Sequence, residues 1–150
     1  MNRIWSYGTG NPGVGGRQLF GPHMAEENPF DPDEIVVAEQ WGADVVLINR
    51  RSGKLRVLYG ERGVPGDGDR INLATSAHFM PSGPYEGHVL ITEFDGEHRV
   101  MIVDRDSGGV IWCYTGCQRP FEAIYWDDDH IMVSDGEEII KILVKDQTVV

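Results

Sequence analysis

Apolar residues along this chain fall in short runs, each closed by turn-forming residues. One group reads "PHMAEE", "EIVVAEQ", "DVVLIN" and "LRVLYG". A second reads "SAHFMP", "HVLITEF", "RVMIVD" and "VIWCYTG", and a third reads "FEAIYW", "HIMVSD" and "IIKILVKD". The runs are rich in Val and Ile and only a few residues long, which favours strands over helices. Asp31-Pro32-Asp33, Gly42, Ser52-Gly53, Asp95-Gly96, Ser107-Gly108 and Asp135-Gly136 separate them. These residue types supply the backbone conformations that tight turns need. The pattern predicts an all-β chain.

The groups repeat one another. Tyr7-Gly8 returns as Tyr59-Gly60, then as Tyr114 with Gly116. Pro12, Gly13, Gly15 and Arg17 return as Pro65, Gly66, Gly68 and Arg70, each 53 positions on. Ser52-Gly53 returns as Ser107-Gly108, and "EIVVAE" is matched by "HVLITE" and then by "HIMVSD". A four-stranded antiparallel meander repeated every ~40–55 residues marks a β-propeller blade. The predicted blades span about 20–60, 61–116 and 117–150, with an orphan N-terminal strand at 3–8.

An acidic residue closes each second strand, a tight turn follows, and then come "HRVMIVDRDSG" and an aromatic-Gly ending. This pattern resembles NHL-type propeller repeats. The ending "VIWCYTG" is similar to repeats of arylsulfotransferase-like propellers. The resemblance runs from Ile4 to about Lys145 and is clearest in the second unit. The first unit departs from it at Ala43-Asp44, where the second has His98-Arg99; the third has Glu137-Glu138 there and is shorter throughout. The resemblance implies a propeller fold and, from the usual NHL-like count, a ring of six blades.

The third unit shows three strands and then runs out at Gln147-Thr148-Val149-Val150, so its fourth strand is missing or stunted. The opening "RIWSYG" reads as an outer strand without a blade of its own. Three blades are too few to close a ring, since propellers have about 4–8. A twofold homodimer solves this: two half-propellers make six blades, and Ile4, Trp5 and Tyr7 of each chain complete the third blade of the other. Completion by a different protein is the runner-up. A third reading is an excised fragment, against which Met1 and the three-unit length count.

Composition narrows the setting. Thirteen Lys and Arg against 24 Asp and Glu give a net charge of −11, which repels nucleic acid and anionic membranes and favours solubility. No run approaches the roughly 18 apolar residues of a membrane span, and no cationic segment precedes an apolar one at the N-terminus. A cytoplasmic setting is the expectation. Cys113 and Cys117 have neither redox nor zinc-finger spacing, so free thiols are expected.

Candidate chemistry gathers on the first strand of each unit, because the innermost strands of a propeller line its central channel. "GPHMA" offers His23, "SAHFM" offers His78 and "PFEAI" offers Glu122. His23 and His78 stand at similar distances before Glu39 and Glu93, which places them as equivalents. Imidazole with carboxylate suits a divalent metal or acid–base work. Glu39, Glu93 and Asp135 recur in all three units, so they are expected to accept hydrogen bonds from turn amides. Asp127, Asp128 and Asp129 read as a solvated acidic turn without EF-hand spacing. "GNPGVGGR" and "GVPGDGDR" lack the Gly-Lys-Ser/Thr ending of a phosphate loop and read as connectors between blades.

Two functions stand open. One is a non-enzymatic assembly module that binds a protein or small ligand as a dimeric ring. The other is a channel-centred, metal-dependent lyase or hydrolase using His23, His78 and Glu122.

Overall fold

The computed structural model describes residues 5–150. Twelve strands form three four-stranded antiparallel sheets. The first sheet has the order β1 (Pro22–Asn28), β2 (Asp31–Glu39), β3 (Asp44–Asn49), β4 (Leu55–Gly60). The second follows with β5 (Ala74–Phe79), β6 (Val89–Glu93), β7 (Val100–Val103) and β8 (Val110–Tyr114), and the third with β9 (Pro120–Asp127), β10 (His130–Asp135), β11 (Glu138–Leu143) and β12 (Thr148–Val149). A single 3-10 turn, Gly83–Tyr85, is the one helical element among the described residues.

Each sheet is a meander, and its first strand packs beside the first strand of the next: β1 meets β5, and β5 meets β9. The sheets stack face to face because their strands are apolar on both sides. Val36, Ala38, Val45 and Leu47 of the first sheet pack with Ala77, Phe79, Val89, Ile91 and Met101 of the second. Leu90, Val100, Ile102 and Trp112 on the other side of the second sheet pack with Ala123, Ile131, Val133 and Ile142 of the third. Each fully buried aliphatic side chain contributes about 1.5–3 kcal/mol, so these two layers dominate stability.

Turn chemistry repeats with the blades. Asn49 Oδ1 accepts the Ser52 N–H at 2.8 Å, and Asp104 Oδ1 accepts the Ser107 N–H at 2.7 Å. Ala43 and His98 hold positive φ values of 54° and 51° in the matching β2–β3 and β6–β7 turns.

The stunted end of the third sheet is resolved by β12. Ile142 pairs with Val149 and Leu143 with Thr148, so the chain's own C-terminal residues fill two places on the outer edge. Among the described residues, the outer edge of the rest of β11, beginning at Glu138, has no strand beside it. The orphan strand is seen only in part: Ile4 lies outside the described residues, and Trp5 and Tyr7 form no ladder within the chain. Instead Tyr7 and Leu19 pack over Val37, Val46 and Ile48 on the outward face of the first sheet. Both cysteines are free thiols, and burial, with the charge of Asp135, pushes Cys117 up to about 12.

Candidate functional site

The inner strands bring chemistry together across all three sheets. His78 on β5 hydrogen-bonds through Nδ1 to Glu26 Oε2 on β1 at 2.5 Å. The other Glu26 oxygen accepts the Phe79 N–H at 3.2 Å, which fixes the carboxylate. On the far side, His78 Nε2 lies 3.4 Å from Glu122 Oε1 on β9, short of hydrogen-bond geometry. The imidazole is therefore held between two carboxylates from the neighbouring sheets. Burial lowers its pKa, but the hydrogen bond and charge of Glu26, and then Glu122, outweigh burial and raise it.

His23 is placed differently. Its Nδ1 donates to the Thr75 carbonyl at 2.7 Å, since a carbonyl oxygen only accepts. It lines a cavity of about 280 Å³ with Met24, Ser76, Phe121, Glu122 and Ser134. The expectation that His23 and His78 are equivalents is corrected by the register. Pro22, Ala74 and Pro120 pair with Glu39, Glu93 and Asp135, so the equivalent of His23 is Thr75. The equivalent of His78 is Glu26, since their partners Leu90 and Val36 each stand three places before Glu93 and Glu39. His78 and Glu122 come together, and His23 joins Glu122 along the cavity. Among the described residues, no group of three or more His, Cys, Asp or Glu is arranged to hold a metal ion.

The three recurring carboxylates do what their repetition suggests. Glu39 accepts the Phe20 N–H at 2.9 Å, Glu93 accepts the Asn72 N–H at 2.9 Å, and Asp135 accepts those of Gln118 and Arg119. Each thereby anchors the segment that enters its own inner strand. In the second sheet the buried Glu93 also pairs with Arg99 Nε at 2.5 Å, and Arg99 reaches the Gly68 and Arg70 carbonyls. In the first sheet the residue facing Glu39 across the turn is Asp44, another buried carboxyl. Its cation arrives from outside the sheet: Arg62 lies 3.4 Å from Glu39 and 3.5 Å from Asp44. Neither Asp44 oxygen has a hydrogen-bond partner among the described residues.

One further feature is mostly apolar. Among the described residues, the inter-sheet layers leave one face of the third sheet uncovered. Ile124, Met132 and Ile139 line a shallow groove of about 160 Å³ on that face, with Ile139 73% exposed and Ile124 41%. Nothing in the run "IIKILVKD" distinguished this face, because both faces of the strand are apolar.

No family model and no curated protein matches the chain. Among solved structures it is similar to a chain of the nidogen/laminin complex, with a TM-score of 0.67 at 14% identity, covering 87% of this chain and 46% of that one. It is also similar to a chain of Kuenenia stuttgartiensis hydrazine synthase, with a TM-score of 0.65 at 17% identity, over 88% of this chain and 35% of that one. A third likeness is to the β-propeller domain of Cps50 (Swd1) from Myceliophteria thermophila, with a TM-score of 0.63 at 13% identity, over 87% and 38%. The nidogen/laminin and Swd1 neighbours are β-propellers. The three sheets thus have the fold of β-propeller blades, and the chain spans less than half the length of each of these neighbours.

Proposed function

We propose that this protein is a non-enzymatic binding module, a half-propeller of NHL-like type that a second copy completes to a six-bladed ring in the cytoplasm. The observation that carries the reading is the uncovered apolar face of the third sheet. A propeller blade buries both faces, and Ile124, Met132 and Ile139 occupy the positions that a following blade covers in a ring. Burying each contributes about 1.5–3 kcal/mol, and a twofold ring makes the contact twice, against an association cost of about 4–15 kcal/mol. Charge favours a second copy as the partner. Residues 1–62 carry seven Lys and Arg against eight Asp and Glu, whereas residues 117–150 carry three against eight. Joining the third sheet of one copy to the first of another sets the acidic end beside the nearly neutral one. In this ring the N-terminal strand, with Trp5 and Tyr7, lies along the outer edge of the partner's β11, where β12 covers only two positions.

Ring faces are then the surfaces that take a protein partner. The nidogen/laminin neighbour was itself solved as a complex, which fits a binding role for such a scaffold. Light scattering tests the ring: the native chain is expected at twice 16.8 kDa. Ile139→Glu is expected to give monomer, and a native monomer rejects the reading.

A second reading is favoured by the contact of His78 with Glu122 beside His23 in one cavity. It makes the channel the centre of a metal-dependent lyase or hydrolase. Equilibrium dialysis against zinc or manganese separates the two: stoichiometric binding lost in a His23→Ala, His78→Ala double variant supports the enzyme, and no binding leaves the binding module.

A further inference from the structure

A second cavity lies between the second and third sheets, away from the inner strands. The first and third strands of a meander run the same way, so the β5–β6, β9–β10 and β11–β12 connections all leave on one side. Where they meet, Pro84, Tyr85, Trp112, Asp128, Asp129 and Lys145 line a space of about 380 Å³. That volume falls in the range of small-ligand sites, roughly 300–1,000 Å³.

The aromatic walls are held in place. Trp112 of β8 is buried, and its indole N–H donates to the Val144 carbonyl at 2.9 Å. Its ring also stacks on Tyr114, with the planes 11° apart. Tyr85 comes from the 3-10 turn Gly83–Tyr85, which Pro84 stiffens. Gly83 holds a φ of 80° and lets this turn close onto the third sheet, because a Cβ there would stand 3.0 Å from Asp128 Oδ1. The acidic wall is held as firmly. Ser82 and Tyr125 both donate to Asp128 Oδ1 at 2.6 Å, which leaves Oδ2 outside both bonds. The two hydroxyls keep the Asp128 carboxyl below the ordinary carboxylate range, so it is anionic at neutral pH. Among the described residues the one ion pair of this turn is His130 with Asp127, so Asp128 and Asp129 face the cavity unpaired, with Lys145 as its one basic lining residue.

We propose that this cavity takes the guanidinium of an arginine presented by a protein partner. The inference rests on the binding-module reading, since it names the group that such a partner offers. It does not need the ring, because both sheets belong to one chain. Aromatic side chains attract a cation, and a planar, weakly hydrated guanidinium loses less water on entering such a space than an ammonium does. Asp128 Oδ2 and the Asp129 carboxylate accept its N–H groups, and an acceptor already fixed in place costs little further ordering. An ammonium carries the same charge but has no plane to lay along Tyr85 and Trp112, so lysine is the weaker ligand. Lys145 competes for the same carboxylates and limits the affinity. The net charge of −11 draws a basic segment towards the protein.

An NMR titration of the full-length protein with the capped tripeptide Ala-Arg-Ala tests this. The Trp112 indole N–H signal is expected to shift saturably, with a dissociation constant on the order of 1 mM for this single side chain, while β6 amides stay unchanged. Capped Ala-Lys-Ala is expected to bind about fivefold more weakly. The citrulline peptide, which keeps the shape and loses the charge, is expected not to bind. Asp128 is exposed, so Asp128→Asn keeps the fold and is expected to weaken binding about tenfold. Lys145→Gln is expected to tighten it about threefold at low salt. No saturable shift, equal binding of the citrulline peptide, or undiminished affinity in Asp128→Asn overturns the site. Equal affinity for the lysine peptide overturns the assignment to arginine. Light scattering on the same samples separates this claim from the ring. A monomer that binds the arginine peptide keeps the site and rejects the ring; a dimer that ignores the peptide keeps the ring and rejects the site.

Discussion

At the scale of single residues, charges placed where strands meet tie the apolar sheets to one another. His78 joins three sheets through Glu26 and Glu122. Burial opposes its protonation, but the two carboxylates prevail, so its pKa lies above the ordinary 6.5. The bridge therefore stabilises the fold fully below 6.5 and loses its contribution as pH rises through the folded-state value. An NMR titration of the His78 ring is expected to show the raised value. Glu26→Gln is expected to lower it more than Glu122→Gln, since Glu26 makes the hydrogen bond; a His78 midpoint below 6.5 contradicts this picture. Glu93 is a second test. Its removal leaves the guanidinium of Arg99 buried, with the half-exposed Glu97 as its one acidic partner among the described residues. Glu93→Ala is expected to cost about 3 kcal/mol in urea unfolding, a cost typical of breaking a buried pair.

Much of this was legible in the sequence, and the misses have physical causes. Glu39, Glu93 and Asp135 announced their role by recurring at strand ends. The His23–His78 equivalence failed because counting back from those residues ignores hairpin length. β1 and β2 are joined by a two-residue turn, whereas the chain from Phe79 to Val89 makes a 3-10 turn first. A register shift also sits between Pro22 and Met24, and another between Ala74 and Ser76. Glu26 was passed over because no repeat marks it: its equivalents are His78 and Ile124. The Asp44 site left one trace, since the first unit departs from the second at the very position where Asp44 replaces Arg99.

At the scale of elements, the N-terminal segment and β12 compete in meaning. β12 is short, and its pairing covers only the last part of β11. The segment of residues 5–19 packs on the first sheet by side chains alone, without joining its ladder. An element that is attached by a few side chains and by Arg62 opens at low cost. Deleting residues 1–8 removes Tyr7 from Val37, Val46 and Ile48, and the bared face then favours self-association. The truncated protein is expected to lose the discrete dimer in favour of monomer that precipitates or of larger aggregates on sizing. A truncated chain that remains a discrete dimer shows that the segment has no part in closure.

At the scale of the whole molecule, three blades make a layered stack with unlike ends. One end carries the N-terminal segment and nearly balanced charge; the other carries an exposed apolar groove on an acidic sheet. In the proposed ring these ends would face each other, and a twofold pairing would cover both at once. The stack as a whole is an open arc whose last face, among the described residues, has no cover. The measurement that tests this most directly is the solution mass of the full-length protein by light scattering across a wide concentration range. The proposed ring predicts twice 16.8 kDa in the native protein and a monomer for Ile139→Glu. A soluble native monomer at all concentrations, indistinguishable from Ile139→Glu, would contradict it.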